Sequence, residues 1–101
     1  MPNHTHEAIA STLEWFIRDR FKVPPQDQMF SRTVMLWDEG YVDSIGIAEV
    51  IAFLESTFEV TISNDVLFSQ DFTNIDGIAR LVAVIQQMDA PGSQRQRAMT
   101  V

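Results

Sequence analysis

Apolar residues recur at helical spacing in three separate segments of the chain. Residues 7–21 carry the first stripe, at i, i+4, i+7 and i+8, which is typical of an amphipathic helix. The second stripe begins at Ser44 and extends to about residue 57, and the third follows Thr73, a candidate helix cap, as far as Met88. The stripes consist of Ile9, Leu13, Phe16 and Ile17; of Ile47, Val50, Ile51, Leu54 and Phe58; and of Ile75, Ile78, Leu81, Val82 and Ile85.

The connections between these helices differ in length. Pro24 and Pro25 end the first helix, because proline lacks the N–H and restricts the residue before it. Residues 22–43 show no regular period, and a loop this long in a small domain is usually functional or pinned to the core. Its candidate anchors are Phe30, Val34, Met35, Leu36 and Trp37.

The region after the second helix predicts a short additional element. Residues 58–62 alternate like a strand, but they have no evident partner strand, so we expect an extended connector. Residues 63–65 can cap a short helix that reaches Phe68. The predicted fold is all-α: a small four-helix bundle with three main helices, one short third helix and a long first loop. The domain spans residues 7–88, between a flexible N-terminus of residues 1–6 and a flexible C-terminal tail of residues 89–101 that has no apolar face.

Composition supports one small folded domain. The chain has 101 residues, of which 46% are hydrophobic and 21% charged. There is no cysteine, so disulfides and thiolate metal sites are excluded. No apolar run reaches membrane-spanning length, and the first residues do not resemble a signal peptide. We expect a soluble, cytoplasmic monomer.

The charge distribution is strongly one-sided. The net charge is -7, and no lysine or arginine lies between Thr33 and Ala79. Such a field repels phosphate backbones and disfavours nucleic-acid binding, whereas it steers basic protein surfaces toward the domain. A solvated acidic surface that only favours solubility is the alternative. The acidic residues in this span are Asp38, Glu39, Asp43, Glu49, Glu55, Glu59, Asp65, Asp71 and Asp76.

Several catalytic interpretations fail. Ser44 is followed by Gly46, but Val42 stands where a nucleophile elbow has its first glycine. The histidines His4 and His6 lie in the terminus, so a serine hydrolase lacks a base within reach. Their spacing could bind a metal weakly, but their position favours a solvated terminus. Residues 71–77 do not have the ligand register of a calcium loop. We expect neither an enzyme nor a metal site.

The pair Asp43-Ser44 is the most informative feature of the sequence. Both residue types cap helices, because their side-chain oxygens accept hydrogen bonds from unpaired N–H groups of the first turn. The positive end of the helix would also suit a phosphate ester on Ser44. Asp43 could help to hold a divalent metal that accompanies a diphosphate donor. A regulatory phosphoserine would favour the same position.

The sequence around this pair resembles the phosphopantetheine-attachment region of acyl and peptidyl carrier proteins. That pattern has an Asp-Ser pair, an aliphatic residue, a glutamate five residues after the serine, then Leu-Glu and a closing phenylalanine. The likeness covers about residues 7–88 and is densest over residues 36–60. The positions in register are Asp43, Ser44, Ile45, Glu49, Leu54, Glu55 and Phe58.

The resemblance implies a carrier that catalyses nothing itself. Ser44 would receive 4'-phosphopantetheine covalently from coenzyme A through a phosphopantetheinyl transferase, with Asp43 supporting the transfer. The cofactor thiol would hold a substrate as a thioester, loaded by an adenylating ligase or acyltransferase and passed to a downstream synthase or transferase. The main alternative is a non-carrier acidic helical module that binds a basic partner helix, and a phosphorylation-switched domain is a third.

Departures from the common pattern suggest a subtype. Ile45 and Gly46 replace the usual leucine and acidic residue, and Gly-x-x-Asp-Ser-x-Gly is similar to free-standing D-alanyl and aminoacyl carriers. We expect a discrete carrier of specialised metabolism, of the polyketide or nonribosomal-peptide kind, or of an aminoacylation pathway. The predicted partner contacts are Ile45, Ala48, Glu49 and Glu55, with the two glutamates facing water toward basic partners, whereas Trp15 and Trp37 are predicted to pack internally.

Overall fold

Four helices account for the secondary structure of the described chain. The structure is a computed structural model that describes residues 5–88; residues 1–4 and 89–101, including the predicted tail, lie outside it. The helices are α1 (His6–Arg20), α2 (Ser44–Phe58), α3 (Asn64–Leu67) and α4 (Ile75–Met88). Within residues 5–88 no strand forms, and the segment after α2 is a connector without a partner strand. The predicted all-α fold, with three main helices and one short third helix, is confirmed.

Side-chain caps define the helix starts, as the sequence suggested, but two details differ. Thr5 Oγ1 accepts the Ala8 N–H at 3.1 Å, so α1 already includes His6, which the sequence had placed in the terminus. At α4 the side chain that accepts is Asn74 Oδ1, which takes the Gly77 N–H at 2.7 Å. The predicted cap, Thr73, instead donates its hydroxyl to the Gln70 carbonyl at 2.9 Å. Asn74 directly precedes the helix, where a side-chain oxygen reaches the third helical N–H.

The core is built mainly between α1 and α4, the principal helix pair. The predicted stripe of α1 is buried except for Phe16, which is half-buried, and α4 buries its matching face. Trp37, as predicted, packs internally: its indole stacks on Phe72 at 6.0 Å and its Nε1–H donates to the Phe72 carbonyl at 2.8 Å. The fully buried side chains from these two helices are Ile9, Ala10, Leu13, Ile17, Ile75, Ile78, Ala79 and Val82.

The prediction that Trp15 packs internally is wrong, because 65% of this residue is exposed. At about 100° per residue, Trp15 lies about 200° from both Leu13 and Ile17 around α1. It therefore projects from the face opposite the buried stripe.

Helices α1 and α2 run antiparallel. Phe16 stacks on Phe53 with ring centroids 4.0 Å apart, while Arg20 Nη2 binds Glu49 Oε2 at 2.7 Å. The residue number rises along α1 as it falls along α2. The end of α1 therefore lies beside the beginning of α2.

Arg32 joins the long loop to α1 through two ion pairs. Arg32 Nη1 binds Glu7 Oε1 at 2.8 Å, and its Nε binds Glu14 Oε1 at 2.9 Å. The backbone carbonyl of Arg32 accepts the Asp76 N–H at 2.9 Å, so the same residue also joins the loop to α4. Of the predicted loop anchors, Phe30 and Leu36 are buried and Val34 and Trp37 half-buried, whereas Met35 is exposed.

The cluster around Arg32 shifts the ionisation of its members. The hydrogen bond from Arg32 lowers the pKa of Glu7. At Glu14 burial opposes ionisation most strongly, but the hydrogen bonds from Arg32 and Arg18 outweigh it and lower the pKa of this carboxyl also. Both carboxylates thus bind protons less readily in the folded chain than in the unfolded one.

Gly77→Ala should destabilise the protein. A Cβ at this buried position would collide with the backbone carbonyl of Asp71. A backbone atom cannot avoid the collision by a side-chain rotation. Helix propensity alone would favour alanine by about 1 kcal/mol. We expect the collision to dominate, with a net loss of about 3 kcal/mol in the free energy of unfolding measured by urea denaturation. An unchanged or raised urea midpoint would contradict the close approach.

Arg32→Met should remove a pH-dependent part of the stability. The lowered carboxylate pKa values stabilise the fold above the ordinary glutamate value of 4.5, and this stabilisation is lost as the pH falls through the folded-state values. Wild type should therefore exceed Arg32→Met in stability at neutral pH, and the difference measured by urea denaturation should shrink as the pH falls below 4.5 and through the folded-state pKa values.

The matched control for this comparison is Arg80→Met. Arg80 pairs with Asp71 at a longer 3.6 Å, with both side chains more than half exposed. It should leave the pH slope of wild type in place. Equal slopes in Arg32→Met and wild type would rule out the Arg32 cluster as their cause.

Candidate functional site

The structure distinguishes Asp43 from Ser44, although the sequence allowed either residue to cap the helix. Asp43 is the residue before α2, and its Oδ1 accepts the Gly46 N–H at 2.8 Å while its carbonyl accepts the Ile47 N–H at 2.9 Å. Ser44 is the first helical residue and is exposed. Within residues 5–88 its hydroxyl has no hydrogen-bond partner. Asp43 is therefore the cap, and the Ser44 oxygen remains accessible for chemistry.

The start of α2 places the positive end of a helix dipole at Ser44, beside the Asp43 carboxylate. α2 has 15 residues, and its first turn contains no acidic side chain. The aligned peptide dipoles give this end of the helix a partial positive charge, and the first N–H groups point beyond the helix. A phosphate ester on the Ser44 oxygen would meet this end of the helix directly.

The first turn of α2 rests on the end of α1. A Cβ at the buried Gly46 would lie 2.7 Å from the Phe21 ring and 2.8 Å from Val42 Cγ1. A side chain at residue 46 would force the Phe21 ring and Val42 to shift. The sequence marked Gly46 as a departure from the common carrier pattern; the contact with Phe21 supplies a packing reason for the glycine.

The four predicted partner contacts fall into two pairs. Ile45 is 75% exposed and Ala48 is exposed, one turn apart on the same helix as Ser44. Glu49 and Glu55 are half-buried instead of facing water, so that part of the prediction is wrong. Glu49 binds Arg20 of α1, and Glu55 Oε2 accepts the Ile62 N–H at 2.8 Å. Contact of any of these residues with a partner stays a prediction.

The hydrogen bonding of the Glu49 carboxylate is unusual in one respect. Its Oε2 is bound by Arg20, but its Oε1 is buried without a hydrogen-bond partner among the described residues. A buried carboxylate oxygen normally has a donor. Arg20 thus holds the half-buried Glu49 carboxylate against α1, and the exposed residues of α2 beside Ser44, Ile45 and Ala48, are uncharged.

Sequence reasoning missed the residues that hold the loop before Ser44. Tyr41 donates its hydroxyl to Asp27 Oδ2 at 2.9 Å, and its ring meets the Phe30 ring edge-on with centroids 5.1 Å apart. Asp27 Oδ1 accepts the N–H groups of Met29, at 2.8 Å, and Phe30, at 3.2 Å. An aspartate that bonds the backbone two residues later is a known turn former, so Asp27 after two prolines carried a readable signal. Nothing in the sequence indicated its bond to Tyr41.

This hydrogen bond changes the ionisation of both partners. The bond from Tyr41 is the largest influence on Asp27 and lowers the pKa of its carboxyl. Burial, followed by the bond to Asp27, raises the pKa of Tyr41. The pair is thus a neutral phenol that donates to a carboxylate at neutral pH.

The described chain adds few other chemical features. In residues 5–88 no helix is long and apolar enough to cross a membrane. Nor does this part of the chain bring three histidine, cysteine or carboxylate side chains together to hold a metal ion. Compared with known proteins, the chain matches no protein-family model and no curated protein sequence.

Substitutions at the pair should separate capping from chemistry. Asp43→Ala removes the side chain that accepts the Gly46 N–H and should cost about 1 kcal/mol of the free energy of unfolding. Ser44→Ala removes an unpaired hydroxyl and should change stability by less than about 0.5 kcal/mol. Thermal and urea denaturation measure both. A larger loss in Ser44→Ala than in Asp43→Ala would reverse this assignment of the cap.

Proposed function

We propose that this protein is a discrete carrier that holds 4'-phosphopantetheine on Ser44 and presents a thioester-linked acyl or aminoacyl group to partner enzymes. The observation that supports this most strongly is the exposed, partnerless hydroxyl of Ser44 on the first turn of a 15-residue helix that Asp43 already caps. The carrier-like register of the surrounding sequence adds to it.

The residues present fit the cofactor. In the transfer, the Ser44 oxygen forms a bond to the phosphorus of phosphopantetheine, the bond from that phosphorus to adenosine bisphosphate breaks, and the transferase accepts the serine proton. The cofactor supplies a terminal thiol, which the chain, having no cysteine, does not contain. The phosphodiester on Ser44 would lie at the positive end of α2.

Asp43 has a part in this proposal beyond capping. Its Oδ1 is committed to the Gly46 N–H, whereas its Oδ2 has no hydrogen-bond partner within residues 5–88. A free carboxylate oxygen one residue before Ser44 is a hard oxygen ligand of the kind that Mg²⁺ prefers. It can therefore help to hold the metal that accompanies coenzyme A in the transferase complex.

The exposed face beside Ser44 indicates how partners dock. Ile45 and Ala48 present an apolar, uncharged surface, while Glu49 and Glu55 are engaged within the chain. The transferase, the loading ligase or acyltransferase and the downstream synthase therefore contact mainly the apolar part of this face, and the acidic field steers their approach. Specialised metabolism in the cytoplasm is the setting we propose for a free-standing carrier of this kind.

A second candidate uses the same surface without the cofactor. The exposed Ile45, in a span that contains acids but no lysine or arginine, would also suit the apolar face of a basic amphipathic helix. In that case the Ser44 hydroxyl would have no chemical role, and Ser44 would only be the first residue of α2. Covalent modification distinguishes the two candidates.

Incubation with coenzyme A and a promiscuous phosphopantetheinyl transferase should add one phosphopantetheine to wild type, measured as intact mass. Ser44→Ala should gain nothing. Ser56→Ala, which alters another exposed serine of α2, is the matched control and should be modified fully.

Each outcome of this experiment has a meaning. Wild type that gains no mass, while a known carrier in the same reaction does, overturns the proposed function and leaves the interaction module. Mass gain that persists in Ser44→Ala shows that another residue is the acceptor.

A further inference from the structure

The two halves of the long loop are joined three residues before Ser44. Asp27, in the first half, accepts the Tyr41 hydroxyl at 2.9 Å, and Phe30 packs edge-on against the Tyr41 ring. Phe30 is itself held on α1, because the Arg18 guanidinium lies 4.6 Å from the centre of its ring. A continuous set of contacts thus links Tyr41 to α1.

The short segment after Tyr41 leads directly into the cap of α2. Val42 is buried, and its N–H donates to the Leu36 carbonyl at 3.2 Å. Asp43 follows and caps the helix, and Ser44 begins it. On the other side of Tyr41, Gly40 has a φ of 81°, which lets the chain reverse direction. Only two residues therefore separate the Tyr41 bond from the Ser44 oxygen.

We propose that Tyr41 is a positioning residue for Ser44: its hydrogen bond to Asp27 orders residues 40–43 so that the Asp43 cap forms and the Ser44 hydroxyl is presented in one orientation. This inference rests on the proposed function. A segment that is ordered before a partner binds loses less conformational entropy in the complex. Without the bond between Tyr41 and Asp27, residues 40–43 would adopt the binding-competent conformation only part of the time. The apparent affinity for the transferase would fall in proportion to that fraction.

Transferase kinetics on Tyr41→Phe test the inference. Phenylalanine keeps the ring contact with Phe30 and removes only the hydroxyl. We expect KM for the carrier to rise about five-fold, as one lost hydrogen bond allows, with kcat within about two-fold of wild type.

Thr5→Ala is the matched control. It removes one capping bond at the start of α1, about 22 Å along that helix from the end that contacts α2. It should leave KM unchanged. Equal KM values in Tyr41→Phe and Thr5→Ala would overturn the inference, because a general loss of stability would then explain both.

Asp27 variants test whether the bond itself matters. In Asp27→Asn the side-chain oxygen can stay on the Met29 and Phe30 N–H groups while the amide NH2 donates to the Tyr41 hydroxyl, so the link is kept with its direction reversed and KM should stay near wild type. Asp27→Ala should raise KM at least as much as Tyr41→Phe, because it also removes the acceptor of the Met29 and Phe30 N–H groups, and adding Tyr41→Phe to Asp27→Ala should raise it no further. Additive effects in the double variant would show that the two residues act separately and would overturn the inference.

Amide hydrogen exchange gives a readout that needs no modification. The Gly46 N–H, bonded to Asp43 Oδ1, should exchange faster in Tyr41→Phe and at the wild-type rate in Thr5→Ala. If wild type is never modified, the proposed function fails while exchange still reports on the Asp43 cap. If wild type is modified but Tyr41→Phe matches Thr5→Ala in KM and exchange, only the positioning role fails.

Discussion

The close approach of the Phe21 ring to Gly46 brings the start of α2 against the end of α1. A Cβ at residue 46 would lie 2.7 Å from that ring, so the approach depends on the absence of a side chain there. The stacking of Phe16 on Phe53 continues the same antiparallel contact. Gly46, Val50, Leu54 and Phe58 recur every four residues as the buried face of α2. The face that carries Ser44, Ile45 and Ala48 is consequently exposed to solvent.

Polar contacts hold the long loop together with its buried apolar side chains, which include Phe30, Leu36 and Val42. The guanidinium of Arg32 binds Glu7 and Glu14 of α1, and the Tyr41 hydroxyl binds Asp27 across the loop. These bonds explain how a loop without helix or strand can deliver Asp43 to a defined position. Ion pairs within the chain also neutralise arginines of residues 5–88. Arg18, Arg20, Arg32 and Arg80 each pair with a carboxylate of this chain. The acidic field outside these pairs is therefore left largely unbalanced.

Predictions that depended on local periodicity were confirmed, and those that depended on distant neighbours were less accurate. The stripes of α1, α2 and α4 follow the predicted positions closely because burial repeats with the helical turn. Trp15 was expected to pack because tryptophan is large and apolar, yet it lies outside the buried stripe of its own helix. Glu49 was expected to face water, but Arg20 approaches from a different helix, 29 residues earlier in the chain.

Sequence alone determined the number and order of the helices, the excess of acidic residues and the place of Asp43-Ser44 at the start of α2. These properties depend on neighbours within a turn or on composition, so a linear pattern contains them. Only the tertiary structure decided that Phe21 lies on Gly46, that Arg20 of α1 binds Glu49 of α2 and that Asp27 accepts the Tyr41 hydroxyl. Each of these contacts joins residues far apart in the chain, and their distance depends on how all four helices and the loop pack together.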